Sequence, residues 1–497
     1  MDRGERDGAV TPAVVSVDLA RDLTAVLPEL IVSIGACALL LVDLVLPRPA
    51  RVWLAYLSLM IIGAAGAATL ALATAQVEVF NGMFILDPFS SYFKLLLYLA
   101  TALTILLSIR YLEIERIHLG EYYAFLLFST CGLMVMVSSG DLITIFLGLE
   151  LASVSLYILV GLNRLELRPI EASAKYFVLG SLSAAIFLYG MSLLFGATGT
   201  THLWSAATVL ARGHGGPVLL MAMIFLLAGF GFKVAVVPFH MWTPDVYEGA
   251  PTSVTAYMSV AVKAATFAVF LRVFLEVFGL IKPHWTGWLI GLSLATMVVG
   301  NLAAIAQQNI KRMLAYSSIA HAGYAMIGLI VGGPLGTMSL MLYMAIYTVM
   351  NLGAFGVVIL MRRAGIKGEQ ISDLSGLAKE QPAAALAMLI FMFSLAGVPP
   401  TAGFVAKFYL FMAAVDAGLV WLAVIAVLLS AVSAYYYLRV VMVMYMKEPS
   451  GPIDLAWSPS AVTALAVILA ATLAIGLYPS PLVNYTQDAI LRFSMHP

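Results

Sequence analysis

The sequence predicts an all-α polytopic membrane protein of about fourteen transmembrane helices. Three observations carry this. Of 497 residues, 62% are hydrophobic and only 10% are charged, where a soluble domain carries about 25% charged residues. Apolar runs of roughly 20 residues, long enough to cross a bilayer, recur from one end to the other. These runs are continuous rather than alternating, which excludes a transmembrane β-barrel.

The expected spans cover 23–46, 52–75, 83–109, 121–139, 141–162, 170–197, 217–239, 252–278, 285–306, 312–331, 337–361, 382–415, 419–446 and 460–480. A polar tail over 1–22 precedes them. The first apolar run continues to Leu46, too long for the core of a cleavable signal, so it is expected to stay as a helix. Pro47–Arg48–Pro49 closes it. Asp87–Pro88 reads as a helix N-cap followed by a first-turn proline. Ser139–Gly140–Asp141 joins the fourth and fifth spans, with Asp141 as N-cap. The longest internal polar segment, RRAGIKGEQISDLSGLAKEQ at 362–381, reads as a loop with a short surface helix. The organisation that follows is a tail (1–22), three N-terminal helices (23–120), a first five-helix repeat (121–280), a second (281–450), and a last helix with a short tail (451–497).

Arginine and lysine fall in alternate loops. One side receives Arg48, Arg51, Arg110, Arg116, Arg164, Arg168, Lys311, Arg312, Arg362, Arg363, Lys367, Lys379 and Lys447. The positive-inside rule makes that side cytoplasmic and places both termini outside.

Two spans are interrupted. The seventh carries Pro238 and runs into HMWTPDVYEGAPTS; the twelfth carries GVPPTAGF at 397–404. Proline removes a backbone donor, and irregular backbone at membrane depth persists only where protein or a wet cavity receives the freed polar groups. The breaks lie five spans apart. Five is odd, so a second copy of the unit would be inverted, the layout in which transporters place their sites at discontinuous helices.

Several charges stand inside these spans, where each costs roughly 2.5–3.5 kcal/mol on insertion scales. Glu150 lies in the fifth span, Lys233 in the seventh, Lys263 in the eighth and Lys407 in the twelfth. Burial disfavours an ammonium, and a nearby carboxylate favours it. A glutamate–lysine pair therefore holds a proton when the partners meet and yields it when they part. A static ion pair between helices is the structural alternative. Ser317, His321 and Tyr324 share one face of the tenth span, and Glu150, Ser153 and Tyr157 one face of the fifth. His240 beside the first break is equally compatible with a relay and with a capping role. Lys175 could join the row or pair locally with Glu171, four residues before it. Arg272–Glu276, Asp87 and Lys94 read as interfacial charges.

Other classes are excluded. The net charge is zero, which offers no field for nucleic acid. Cys37 and Cys131 have no CxxC spacing, which argues against an iron–sulfur cluster or structural zinc. Gly229 and Gly231 lack the third glycine and preceding strand of a dinucleotide site.

Three long stretches carry a family resemblance. GFKVAVVPFHMWTPDVYEGAPTSVTAYMS, NIKRMLAYSSIAHAGY and SLAGVPPTAGFVAKFYLF resemble, in the right order, the signature segments of the antiporter-like subunits of respiratory complex I and of Mrp-type sodium/proton antiporters. LGLELASVSLYILVGLNR and EASAKYFVLGSLSAAIFLYGMSLLFGATG are similar to the N-type branch. The resemblance implies fourteen core helices with two inverted repeats, spans four to eight and nine to thirteen. It implies that Glu150 and Lys233 are a working pair, that Lys263 connects, and that Lys407 serves a second half-channel. It places His321 and His240 on a polar axis or gate. It implies proton translocation driven by quinone reduction elsewhere, with NADH, FMN, iron–sulfur clusters and quinone held by partner subunits and no cofactor here. It implies an adjacent antiporter-like subunit, small membrane subunits, the lateral helix of an L-type subunit and lipids as partners, in a bacterial inner membrane. A sodium/proton antiporter subunit is the competing reading.

Overall fold

In the computed structural model the residues described are 19–117, 120–213, 216–363, 366–449 and 451–493. The expected tail lies largely outside them. Twelve helices among these residues are long and apolar enough to cross a membrane: Leu27–Val45, Val52–Ala71, Pro88–Ile114, Leu142–Val160, Leu167–Thr198, Gly216–Val234, Thr252–Val277, Gly279–Ala306, Ile310–Val331, Gly333–Leu360, Val420–Met446 and Pro459–Leu477. Two shorter apolar helices, Glu121–Val137 and Pro382–Ala396, stand where the fourth span and the first half of the twelfth are expected.

Three helices form the centre. Thr252–Val277, Ile310–Val331 and Gly333–Leu360 are buried on nearly all sides, as expected for helices hydrophobic all round. The outer helices expose Leu147, Phe177, Leu182, Val424 and Leu428, a surface suited to lipid. Glycine sets the closest approaches. A Cβ on Gly132 would meet the Ala152 nitrogen and the Gly148 oxygen at 2.6 Å, and one on Gly300 would meet the Ala320 nitrogen at 2.6 Å. Small residues at such crossings let backbones pack directly.

The capping signals hold. The Asp87 carboxylate accepts from Ser90 N–H at 2.7 Å, and the Asp141 carboxylate from Ile143 N–H at 2.8 Å. The loop at 362–381 contains the short helix Leu377–Glu380. Several features depart from expectation, among them a small sheet of Met361–Arg363, Ile366–Lys367 and Ile453–Leu455. A hairpin pairs Val77–Val79 with Phe84–Leu86, and a short helix, Leu203–Ala211, follows the sixth span. The expected C-terminal tail forms the helix Ser480–Phe493, docked through buried Val483 and Thr486, whose hydroxyl bonds Tyr92 Oη at 3.2 Å.

Both breaks form where proline predicts them. The first helix stops at Val234 and resumes at Trp242; Ala235 has a positive φ of 64° and the Val237–Pro238 bond is cis. The freed backbone groups are received by protein. Trp242 Nε1–H donates to the Phe232 carbonyl at 2.9 Å, and Val237 N–H donates to Thr296 Oγ1 at 3.0 Å. The second break separates Pro382–Ala396 from Ala402–Asp416. There Gly403 N–H donates to Ser394 Oγ at 3.0 Å.

Candidate functional site

Lys233 is the penultimate residue before the first break, and 4% exposed. Its ammonium donates to Ser153 Oγ at 2.7 Å. Ser153 lies three residues after Glu150 on the helix Leu142–Val160, so both point the same way. Glu150 and Lys233 make no direct ion pair among the described residues. The carboxylate acts on the ammonium through space. Glu150 Oε1 is buried without a hydrogen-bond partner among those residues. The Tyr157 hydroxyl, on the same face, lies against Gly180, where a Cβ would stand 2.2 Å from it.

Lys263 belongs to the central helix Thr252–Val277 and follows a π-helical turn at Met258–Val262. Extra-residue turns of this kind re-aim side chains and recur at functional sites. Its ammonium donates to the Ser318 carbonyl at 2.5 Å and to Ser318 Oγ at 2.6 Å. One turn further along Ile310–Val331 stands His321. Its Nδ1 lies 2.6 Å from Tyr343 Oη and its Nε2 3.2 Å from Tyr437 Oη. Tyr437 Oη in turn bonds Ser317 Oγ at 2.5 Å.

Lys407 follows the second break. Its ammonium donates to the Leu395 and Ala396 carbonyls at 3.0 and 2.9 Å and to Ser430 Oγ at 2.8 Å. It thereby caps the helix that ends at Ala396, where unsatisfied carbonyls and the negative end of the helix dipole favour a cation. The ammonium also sits 5.3 Å from the centre of the Tyr324 ring. Tyr324 Oη accepts from Asn301 at 3.0 Å, and Asn301 accepts from Tyr436 at 3.0 Å. Both Lys263 and Lys407 act electrostatically on His321. The helix Ile310–Val331 is thus a hub presenting Ser318 to Lys263, His321 to two tyrosines and Tyr324 to Lys407. No hydrogen bond among the described residues links this group to Glu150–Ser153–Lys233, so the row has two parts.

His240 lies in the first break, and its Nδ1 is buried without a hydrogen-bond partner among the described residues; it contacts none of the lysines by hydrogen bonding. Lys175 is not brought to the row. It is 44% exposed and pairs with Glu171 at 2.8 Å and Asp245 at 3.1 Å, and Arg312 joins Asp245 at 2.7 Å and Glu248 at 3.0 Å. The local pairing open to Lys175 in the sequence is the arrangement found.

Three of the charges read as interfacial are also buried within the protein, and the Arg272–Glu276 pair expected there forms at 3.8 Å. Asp87, Lys94 and Arg272 are at most 2% exposed, because the hairpin and the neighbouring helices close over the ends of their own helices. Ser318, Tyr343, Tyr437, Ser430 and Asn301 were not singled out from sequence. Their types are ordinary in such helices, and only the facing lysines and histidine mark them.

Residues 139–433, which include every lysine of the row, match the family model described as NADH:quinone oxidoreductase/Mrp antiporter, TM. The chain belongs to this family. A relative from Rhizobium meliloti named NADH-quinone oxidoreductase subunit N 2 is 51% identical over 94% of this chain and 97% of its own. A chain of respiratory complex I from Thermus thermophilus superposes with a TM-score of 0.79 at 35% identity, covering 92% of this chain and 98% of that one. A chain of the Mrp complex from Dietzia sp. superposes with a TM-score of 0.81, covering 94% of this chain and 97% of that one, at 23% identity; this likeness is one of fold alone. As an antiporter-family member the chain is an all-α multi-pass membrane protein, as its composition predicted.

Proposed function

We propose that this chain is the N-type, proton-translocating, antiporter-like membrane subunit of a bacterial NADH–quinone oxidoreductase. The observation that carries the mechanism is the convergence of Lys263, His321 and Lys407 on one central helix, with Lys407 seated at a helix break. Buried ionisable groups facing a bundle interior mark ion paths, and discontinuous helices mark transporter sites.

Glu150 and Lys233 form the first station, with Ser153 accepting from the ammonium. When the carboxylate's influence weakens, Lys233 yields its proton. Lys263 relays to the His321 group through Ser318. His321, hydrogen-bonded at both nitrogens to tyrosine hydroxyls, passes a proton without moving far. Lys407 exchanges protons in the second half, its charge favoured by the carbonyls it caps. His240 and Tyr324 serve as supporting relay groups. Ser317, through Tyr437, does the same.

The energy comes from redox chemistry elsewhere. NADH, FMN, the iron–sulfur clusters and quinone bind to partner subunits rather than to this chain. Its partners are a neighbouring antiporter-like subunit, small membrane subunits, the lateral helix of an L-type subunit and lipids. Both termini face away from the cytoplasm.

The test is affinity isolation of the tagged chain from its own membrane, followed by reconstitution. Co-isolation with flavin- and cluster-bearing subunits, and proton uptake driven by NADH, is the expected result. Isolation with small membrane subunits alone, and sodium-dependent proton exchange, would replace this reading with a sodium/proton antiporter.

A further inference from the structure

The charges that sequence placed at the membrane surface belong to a second buried feature, set apart from the lysine row. Asp87, Ser91, Lys94, Tyr98 and Thr101 recur at intervals of four, three, four and three along Pro88–Ile114. That spacing puts them on one helix face, and each is at most 5% exposed.

Every level of this stripe has a polar neighbour or an unsatisfied hydroxyl. Arg272 donates to Asp87 at 2.8 Å. Ser91 Oγ is buried without a hydrogen-bond partner among the described residues. Lys94 Nζ meets Glu29 Oε1 at 2.7 Å. Tyr98 Oη bonds Thr69 Oγ1 at 3.0 Å. Thr101 bonds Thr130 at 2.9 Å, and Thr130 bonds Tyr257 at 3.0 Å. Ser253, one turn before Tyr257, accepts from Tyr122 at 3.0 Å, and the adjacent Thr252 N–H donates to Tyr111 Oη at 2.9 Å.

Both ends of this column open into cavities. At the Asp87 end, Arg272 and Glu276 line a space of about 680 Å³ together with Glu78 and Lys282. At the other end, Tyr111 lines a small space of about 60 Å³ with Glu248, Lys311 and Glu369. From position 87 to 111 a helix rises roughly 36 Å at 1.5 Å per residue, more than the hydrocarbon thickness of about 30 Å. The column therefore crosses the membrane, whereas the row from Lys233 to Lys407 crosses the width of the bundle.

Glu29–Lys94 stands within it with an unusual lack of support. A buried ion pair is normally sustained by hydrogen bonds to its remaining valences. Here the two groups meet at 2.7 Å but off the hydrogen-bond direction, and no other hydrogen bond among the described residues satisfies the Glu29 carboxylate or the Lys94 ammonium. Transfer of one proton breaks an N–H bond on Lys94 and forms an O–H bond on Glu29, leaving a neutral amine beside a neutral acid. Both charges vanish with no electron moved.

We propose that Glu29–Lys94 is a proton-loading station in a membrane-normal polar column along Pro88–Ile114, with Asp87–Arg272–Glu276 as its outlet to the larger cavity. This rests on the reading of the chain as a proton-translocating subunit.

The experiment uses the whole complex in proteoliposomes and measures protons moved per electron pair. The main variant is E29Q/K94M, which removes both charges and keeps both volumes, a change that buried ion pairs often tolerate. Lys407→Ala is run beside it. The expected result is an assembled complex that still reduces quinone but moves fewer protons per electron pair, and that loses a carboxylic-acid infrared signal which the parent complex gains during turnover. An unchanged ratio in E29Q/K94M with a lowered ratio in Lys407→Ala overturns the column alone. An unchanged ratio in both overturns the parent reading as well. Failure of E29Q/K94M to assemble assigns the pair a purely structural role and overturns the proposal.

Discussion

The two broken helices use one device in two ways. Lys233 precedes its break and leans on side chains: it donates to Ser153, and the Glu150 carboxylate acts on it electrostatically. Lys407 follows its break and leans on backbone, with two of its three hydrogen bonds made to the carbonyls that end Pro382–Ala396. A carboxylate can be moved or neutralised by its neighbours. A helix end cannot, since its partial charge is fixed by the fold. The first station is thus built to be switched and the second to be held, and the lysines are not equivalent even where the repeats align.

That asymmetry can be broken experimentally, and the largest effect is expected from removing the switched lysine. Lys233→Ala should lower NADH-driven proton uptake about tenfold or more, a change of about 1.4 kcal/mol or more in the limiting barrier. Full uptake in proteoliposomes would remove Lys233 from the path. Glu150→Gln should have a smaller effect, about threefold, and it should be coupled to Lys233 rather than Lys407. In double-mutant cycles on pumping rate, Glu150→Gln with Lys233→Ala should be strongly non-additive, and with Lys407→Ala close to additive. The reverse pattern would erase the distinction between the stations.

A third change sharpens the backbone side of the comparison. Gly397 has φ of 87°, and a Cβ there would stand 2.8 Å from Lys407 Cδ. Gly397→Ala should cost about 1–3 kcal/mol in local strain, read as a lower thermal midpoint of the purified complex together with slower pumping. Gly63→Ala, where a Cβ meets nothing within 4 Å, is the neutral control. Equal behaviour of the two variants would show that the Lys407 cap tolerates displacement.

The smallest effect belongs to the surface network that includes Lys175. Burial works to raise the Asp245 carboxyl, but hydrogen bonds from Arg312 and Lys175 hold it below the ordinary carboxylate range. The contribution is fully present above the unfolded value of about 3.9 and is lost as pH falls through the depressed folded value. Asp245→Asn should therefore lower stability slightly near neutrality and make no difference at strongly acidic pH, as followed by thermal unfolding across that range. A constant difference at every pH would mean that charge is irrelevant there.

What the sequence discloses about this site follows from chemistry that stands out against its background. Lys233, Lys263 and Lys407 are conspicuous because a charge in an apolar run has few structural excuses, and Pro238 and Pro399–Pro400 mark the breaks because proline cannot continue a helix. Asp87, Lys94 and Arg272 were legible as charges but not as buried ones. Distance from a helix end gives height in the membrane, while burial depends on the hairpin at Val77–Leu86 and on helices remote in sequence. Ser153 was visible on the Glu150 face, yet its contact with the Lys233 ammonium is a matter of ångströms between two helices. Tyr343 and Tyr437 were hidden because tyrosine is an ordinary core residue, and only His321 between them shows what their hydroxyls are for.

The most direct test of the buried lysines as proton carriers is the number of protons moved per electron pair by the assembled complex carrying Lys407→Ala. Lys407 lies in the half whose geometry is held rather than switched, so its loss cannot be masked by a rearranged carboxylate. The ratio should fall while quinone is still reduced at a measurable rate. A ratio equal to that of the parent complex, at equal content of this chain, would contradict the account.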